Sequence, residues 1–201
     1  MRRNPKWFLR QILHLSARPE SQSLVAGEIP SELHTVVPLR VADFGPRIPF
    51  PTRCSRMKLS FLLWLASILP QPVADRACLA GTIYLEARSE PISGQLAVAE
   101  VALRRADSGQ WGNSVCSALT APGQFAFTLV PRSYVLNEAD AMRRSWAIAN
   151  FAMMNWSLPE NLRYSVVPKA DHFYASNTPM PPWAKGYPLA RIGDHSFYRA
   201  D

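Results

Sequence analysis

The chain has 201 residues, of which 48% are hydrophobic and 18% charged, with a formal charge of +7. That composition supports a packed core and excludes general disorder, and the length suits one ordinary domain with an added segment or two small domains. Residues 1–75 hold ten Lys/Arg against five Asp/Glu, a net of +5, and residues 76–201 hold twelve against ten, a net of +2, so the basic excess lies mostly outside the expected folded body. A nucleic-acid partner is not expected, because a binding domain carries its charge on a folded face.

Residues 1–56 contain seven prolines and scattered arginines, and no helix longer than "KWFLRQILHLSA" is legible there. Two readings are open. The native start is Met57 and the upstream stretch is not part of the native protein, or the stretch is a basic, Pro-rich leader with "RRNPKWFLRQIL" as an amphipathic membrane-surface segment. From Met57 the sequence "MKLSFLLWLASILPQPVADRA" has a Met, a Lys, an apolar run from Leu59 to Leu69, prolines and a small residue at Ala74. This is the layout of a secretory signal peptide over residues 57–75, too short for a membrane span of about 20 apolar residues. A buried core helix is the competing reading. Cleavage after Ala74 would put Pro72 three residues before the scissile bond, an imperfect site. Export to the periplasm, cell envelope or exterior follows from the signal reading, with membrane contact only during export. An oxidising compartment would let Cys78 and Cys116 pair and leave Cys54 outside the mature chain. There is no CxxC and no Cys/His cluster at zinc spacing, so no metal or other cofactor is expected.

Ala77 to Arg88 has no Pro and one Gly, with Leu79 and Ile83 at helical spacing, which predicts a first helix of the domain. Pro91 should stop it at or before Glu90. Ile92 and Ser93 supply a staple and an N-cap for a second helix, "GQLAVAEVALRRAD". "SVCSALTAPGQFAF" predicts a short helix and a turn at Pro122-Gly123, and Asn137 caps a third long helix, "EADAMRRSWAIANFAMMN". The tail turns Pro-rich and aromatic, with strand-like pieces "RYSVV", "HFYA" and "HSFYR". The predicted fold is α+β, mainly helical with a small β element, in a single domain over residues 76–201.

Within "GTIYLEARSEP", Glu86 falls three residues after Ile83 and seven after Leu79, on the face that should be buried. A carboxyl beside an apolar face loses hydration and keeps its proton to higher pH, and a helix C-terminus adds to the effect. Glu86 is thus a candidate general acid. The structural alternative is a buried hydrogen bond or ion pair to Arg88, Arg104 or a tail histidine. Glu90, past the helix end, is expected to be exposed or paired with Arg88.

"CLAGTIYLEARSEPISGQLAVAEVALRR", "GNSVCSAL", "GQFAF", "DHFYA", "PPWA" and "IGDHSFYR" resemble, in that order, the SleB-type cell wall hydrolases, the spore-cortex lytic enzyme family. The likeness covers nearly all of residues 78–199. It implies a lysozyme-like or lytic-transglycosylase-like domain that cuts peptidoglycan glycan strands with a glutamate at the end of its first helix, here Glu86. Ser89 departs from a usual Gly and Arg104 from a customary Asn. Those departures bear on substrate preference.

Glycoside hydrolysis ordinarily takes two carboxylates. Glu90, Asp171 and Asp194 are candidates for the second, and none stands out. In a lytic transglycosylase the 6-hydroxyl of muramic acid attacks, so one Glu serves as acid and then base, and this is the favoured expectation for the bond between N-acetylmuramic acid and N-acetylglucosamine. Phe125, Phe127, Phe173, Tyr174, Trp183, Tyr187 and Tyr198 offer apolar faces for sugar rings, and Gln124, His172 and His195 offer polar partners. Gln124, His172 and Tyr198 lead this set, and a monomer is expected. Two other readings are weighed. Asp171-His172 and Asp194-His195 suggest a metal-dependent amidase or peptidase, although adjacent strand residues face opposite ways and no HExxH occurs. The other is an envelope protein that binds glycan without cutting it.

Overall fold

The computed structural model describes residues 56–200, so expectations for residues 1–55, including Cys54, lie outside the described residues. Five α-helices and five short strands follow in order: β1 (Met57–Lys58), α1 (Leu59–Ile68), α2 (Gln71–Ala87), α3 (Ile92–Asp107), α4 (Val115–Thr120), β2 (Val135–Leu136), α5 (Ala139–Trp156), β3 (His172–Ala175), β4 (Ala190–Ile192) and β5 (His195–Tyr198). Single 3₁₀ turns lie at Ala126–Thr128 and Glu160–Leu162. The architecture is mainly helical α+β, as the sequence predicts.

Helix α2 is the axis of the molecule. Every residue from Ala77 to Ala87 is buried, so this helix is covered on all sides and not on one stripe. It packs against α1, α3, α4 and α5. Small residues make that crowding feasible: a Cβ at Gly81 would lie 2.7 Å from a Leu62 methyl carbon and within 3.1 Å of the Phe127 ring, so α1 and the Ala126–Thr128 turn approach α2 where it has no side chain. On α3, the buried Ala97, Val98, Val101 and Ala102 give a similarly low-relief face. α2 begins six residues earlier than predicted, because Pro72 fits the first helical turn, where no N–H bond is needed.

The signal-like segment enters this body as β1, α1 and the first turn of α2. Leu59 and Leu62 are buried in the core, and the first amides of α1 donate to the carbonyls of Tyr134 and Arg132. The other side of α1 leaves Phe61, Trp64 and Ile68 about half exposed. No helix among the described residues is long and apolar enough to cross a membrane.

Two caps differ from expectation. α3 starts at Ile92 with Pro91 as its N-cap, and Ser93 lies inside the first turn, because the Pro91 carbonyl already accepts from the Gln95 amide. α5 starts after Glu138, not Asn137: the Glu138 amide donates to the Tyr84 hydroxyl and its carboxylate pairs with Arg88 at 2.7 Å. The "RYSVV" stretch is no strand. Its Val166 and Val167 amides and the Ser165 hydroxyl all donate to the buried Glu100 carboxylate of α3, which occupies the donors a strand partner would use.

The three-stranded antiparallel sheet has the order β3-β5-β4. His172 faces Tyr198, Phe173 faces Phe197 and Ala175 faces His195 in the β3–β5 register. Alternation along β5 then puts His195 and Phe197 on one face and Ser196 and Tyr198 on the other. Phe173 lies 5.2 Å from the His195 ring, 5.8 Å from Phe197 and 6.5 Å from Phe125, so the first face is the one turned to the helical core.

Candidate active site

Glu86 stands in the last turn of α2 and is 4% exposed. One carboxyl oxygen accepts a 2.7 Å hydrogen bond from the Ala126 amide, at the start of the 3₁₀ turn. Burial raises its pKa from 4.5 to about 7, and the Ala126 amide and the charges of His195 and Arg105 pull less strongly in the opposite direction. A carboxyl with that balance holds a proton near neutrality and loses it to a modest change of surroundings, which suits a group that must both give and take a proton.

The alternative role of Glu86 as an ion-pair partner of Arg88 or Arg104 is not what the structure shows. Arg88 is committed to Glu138 and its guanidinium lies 5.3 Å from the Tyr84 ring centre. Arg104 reaches the Ala170 carbonyl and lies 3.9 Å from Glu100. On α3, Arg105, whose charge favours the Glu86 carboxylate, donates to the carbonyls of Asp171 and Gln124 and sits 5.0 Å from the Phe125 ring centre.

Glu90 corrects the expectation of an exposed residue paired with Arg88. It is 7% exposed and points inward, because the chain turns back after Ala87 and the Glu90 amide donates to the Ala87 carbonyl. Its Oε2 accepts from the Asp194 amide at 3.0 Å, and its Oε1 lies 3.7 Å from His195 Nδ1. Burial favours the protonated form of Glu90, but the His195 ring and the Asp194 amide outweigh it and hold the pKa below the ordinary glutamate value. Glu86 and Glu90 are therefore pushed in opposite directions, one towards the acid and one towards the carboxylate.

The remaining predicted residues divide between the two faces of the sheet. His195, 3% exposed, faces the core beside Glu90, and Phe125, 1% exposed, is a core ring, so neither is placed as an open sugar contact. Phe127 and Phe173 are also core. On the opposite face, Tyr174, Trp183 and Tyr198 form a group with ring centres 5.8–6.0 Å apart, and His172 lies 4.9 Å from Trp183. Gln124 is half-buried and Tyr187 stands fully in solvent away from this group. A pocket of about 370 Å³ at the β4–β5 turn has both Tyr174 and His195 in its wall, and a groove of about 640 Å³ is lined by Cys78, Cys116 and Phe127 among others.

His172 and His195 sit on opposite faces of the sheet, so the two Asp-His pairs do not converge on one point. Asp171 instead accepts from the Ala200 amide and lies 2.7 Å from His172 Nδ1. Among the described residues no group of three or more His, Cys, Asp or Glu could hold a metal ion. Cys78 and Cys116 are joined, with Cα atoms 5.3 Å apart.

Comparison with known proteins matches the chain to a family. The spore cortex-lytic enzyme of Bacillus subtilis (strain 168) is 32% identical over 124 residues, which make up 61% of this chain and 37% of that protein, so the chain spans little more than a third of its relative's length. No solved structure matches. The model of the Cell Wall Hydrolase family matches residues 89–198, beginning just past Glu86 and taking in Glu90, Arg105 and His195, and on that match the chain belongs to the cell wall hydrolase family.

Proposed function

We propose that the chain cleaves peptidoglycan glycan strands between N-acetylmuramic acid and N-acetylglucosamine, with Glu86 as general acid and then base, in the manner of a lytic transglycosylase. The observation that carries the reading is a glutamate buried at the end of a helix that is buried throughout from Ala77 to Ala87, with one amide hydrogen bond and a pKa of about 7. Glu86 gives its proton to the glycosidic oxygen as the bond to the muramic C1 breaks. The 6-hydroxyl of the same sugar then attacks C1, and its proton returns to Glu86, so the chain leaves an anhydro end and consumes no water.

The single-acid form is supported by the engagement of Glu90 and Asp171, two of the three candidates for a second carboxylate; the third, Asp194, is exposed. Glu90 is clamped by Asp194 and His195, and Asp171 by Ala200 and His172, so neither is presented to a sugar carbon. The half-buried Tyr174, Trp183 and His172, backed by the buried Tyr198 on the sheet face away from the helical core, are the proposed platform for sugar rings, whose apolar faces stack on aromatic ones. Export through residues 57–75 fits a substrate outside the membrane and is tested by sequencing the N-terminus of the protein recovered from the envelope. Mass spectrometry of sacculus digests tests the reaction. Anhydro-muramic ends are expected, and reducing ends throughout would replace the transglycosylase by a hydrolase.

A further inference from the structure

We infer that α1 stays attached to the folded domain after export and lays it against an anionic membrane surface with its outer apolar face, so that membrane contact outlasts the export step. The inference goes beyond the assignment of Glu86 and does not depend on it.

α1 is apolar on two opposite faces. Leu59 and Leu62 are buried, and Leu63 and Ala66 pack against the same core. At about 100° per residue those four fall on one side of the helix, and Phe61, Trp64, Leu65 and Ile68 fall on the other. Phe61, Trp64 and Ile68 are about half exposed, and the rings of Phe61 and Trp64 stack with centres 5.6 Å apart. No charged side chain interrupts the helix. A helix that is apolar all round wants an apolar partner on both sides, and the protein core supplies one of them.

Cutting after Ala74 would remove more than a loose leader. The Leu59 and Ser60 amides donate to the carbonyls of Tyr134 and Arg132 at 2.8 and 2.9 Å, and Met57 and Lys58 pair with Leu136 and Val135. Leu62 closes over α2 where Gly81 has no side chain, since a Cβ there would lie 2.7 Å from a Leu62 methyl carbon. Loss of residues 57–74 would uncover that stretch of α2 and leave β2 without its partner strand.

Charge and size select what covers the outer face. Arg56, Lys58 and Arg132 are exposed at the N-terminal end of α1, where the Arg132 carbonyl binds the Ser60 amide, and residues 56–74 contain no Asp or Glu. Residues 1–55, with eight Lys/Arg against four Asp/Glu, lead into the same end. Such a basic flank matches anionic lipid headgroups, and Phe and Trp suit the boundary between headgroups and acyl chains. At about 1.5 Å per residue the ten-residue helix is about 15 Å long, half of a roughly 30 Å hydrocarbon core, so it lies in the surface and does not span it. A second copy is a poorer fit. Half-exposed Phe61 and Trp64 with Ile68 offer on the order of 300 Å² of apolar surface, against about 800 Å² per partner in a stable dimer. The apolar stretch at residues 7–13 is poorer still, because it carries Arg10 and follows Arg2, Arg3 and Lys6, of the same sign as Arg56 and Lys58.

The test is co-sedimentation of the full 201-residue chain with vesicles of phosphatidylcholine containing phosphatidylglycerol, and with vesicles of phosphatidylcholine alone, at low and high salt. Binding to the anionic vesicles is expected, weakened by salt and about tenfold or more tighter than to the neutral ones. Phe61→Ser combined with Trp64→Ser should lower it by about tenfold or more in protein with wild-type circular dichroism. If that variant does not fold, Lys58→Gln with Arg132→Gln carries the comparison and should weaken binding to the anionic vesicles alone. No binding by the full chain overturns the inference, whether a second copy or residues 1–55 then prove to cover the face. Binding that both variants leave unchanged overturns it too, because the contact then lies elsewhere. Protein recovered from the envelope should begin ahead of Leu59, and a chain beginning after Ala74 would defeat the inference while leaving export intact. None of these outcomes involves Glu86, which the sacculus digests decide separately.

Discussion

At the scale of single residues, Glu86 makes a stability prediction that is independent of substrate. Its folded pKa of about 7 exceeds the ordinary 4.5, so the folded chain holds the proton more tightly than the unfolded one. Stability linked to that proton is complete below pH 4.5 and is lost as the pH rises through about 7. Glu86→Gln keeps an acceptor for the Ala126 amide and carries no charge. It should match wild type near pH 4.5 and exceed it at pH 8, by something on the order of 3 kcal/mol, as read by urea denaturation. Equal stability at both pH values would show that burial does not disfavour the charged form. Glu86 was legible in the sequence because its burial follows from local spacing after Leu79 and Ile83. Glu90 was not, since its inward turn depends on an amide 104 positions away and on Gly193 leaving room for its oxygen.

At the scale of elements, Glu100 shows how one side chain fixes a connection. Three donors from residues 165–167 converge on its carboxylate at 2.6–3.1 Å, and Arg104 and Arg105 on the next turn of α3 bind the carbonyls of Ala170 and Asp171. α3 thereby sets the path into β3, and through the β3–β5 register the place of His195. Glu100→Ala would leave those buried amides unpaired, and denaturant titration should record a loss of about 3 kcal/mol. A change below about 0.5 kcal/mol would mean that water replaces the carboxylate without cost. The helices were largely legible from apolar spacing and proline. The short elements were less so: "RYSVV" has strand composition but gives its amides to Glu100, and Ala190–Ile192 forms a strand because β5 offers it an edge. β1 and β2 are two-residue partners whose registered pairs lie 79 and 77 positions apart, beyond the reach of local pattern.

At the scale of the whole molecule, α2 couples the parts: the disulfide ties its first half to α4, Glu86 ends it, and α1 lies along it. The Cys78–Cys116 link closes a separation of 38 residues, and reduction should cost about 4 kcal/mol on the chain-entropy estimate. Thiol counting under denaturing, non-reducing conditions should find neither Cys78 nor Cys116 free, and two reactive thiols from these positions would contradict the pairing. The apolar run at Leu59–Leu69 illustrates a limit of pattern reading, since the same composition serves an export signal and a helix whose Leu59 and Leu62 enter the core. The measurement that bears most directly on the account is the release of soluble muropeptides from purified sacculi by folded Glu86→Gln protein. No release above background is predicted, with wild type active under the same conditions. Release at the wild-type rate would contradict the assignment of Glu86 as the acid.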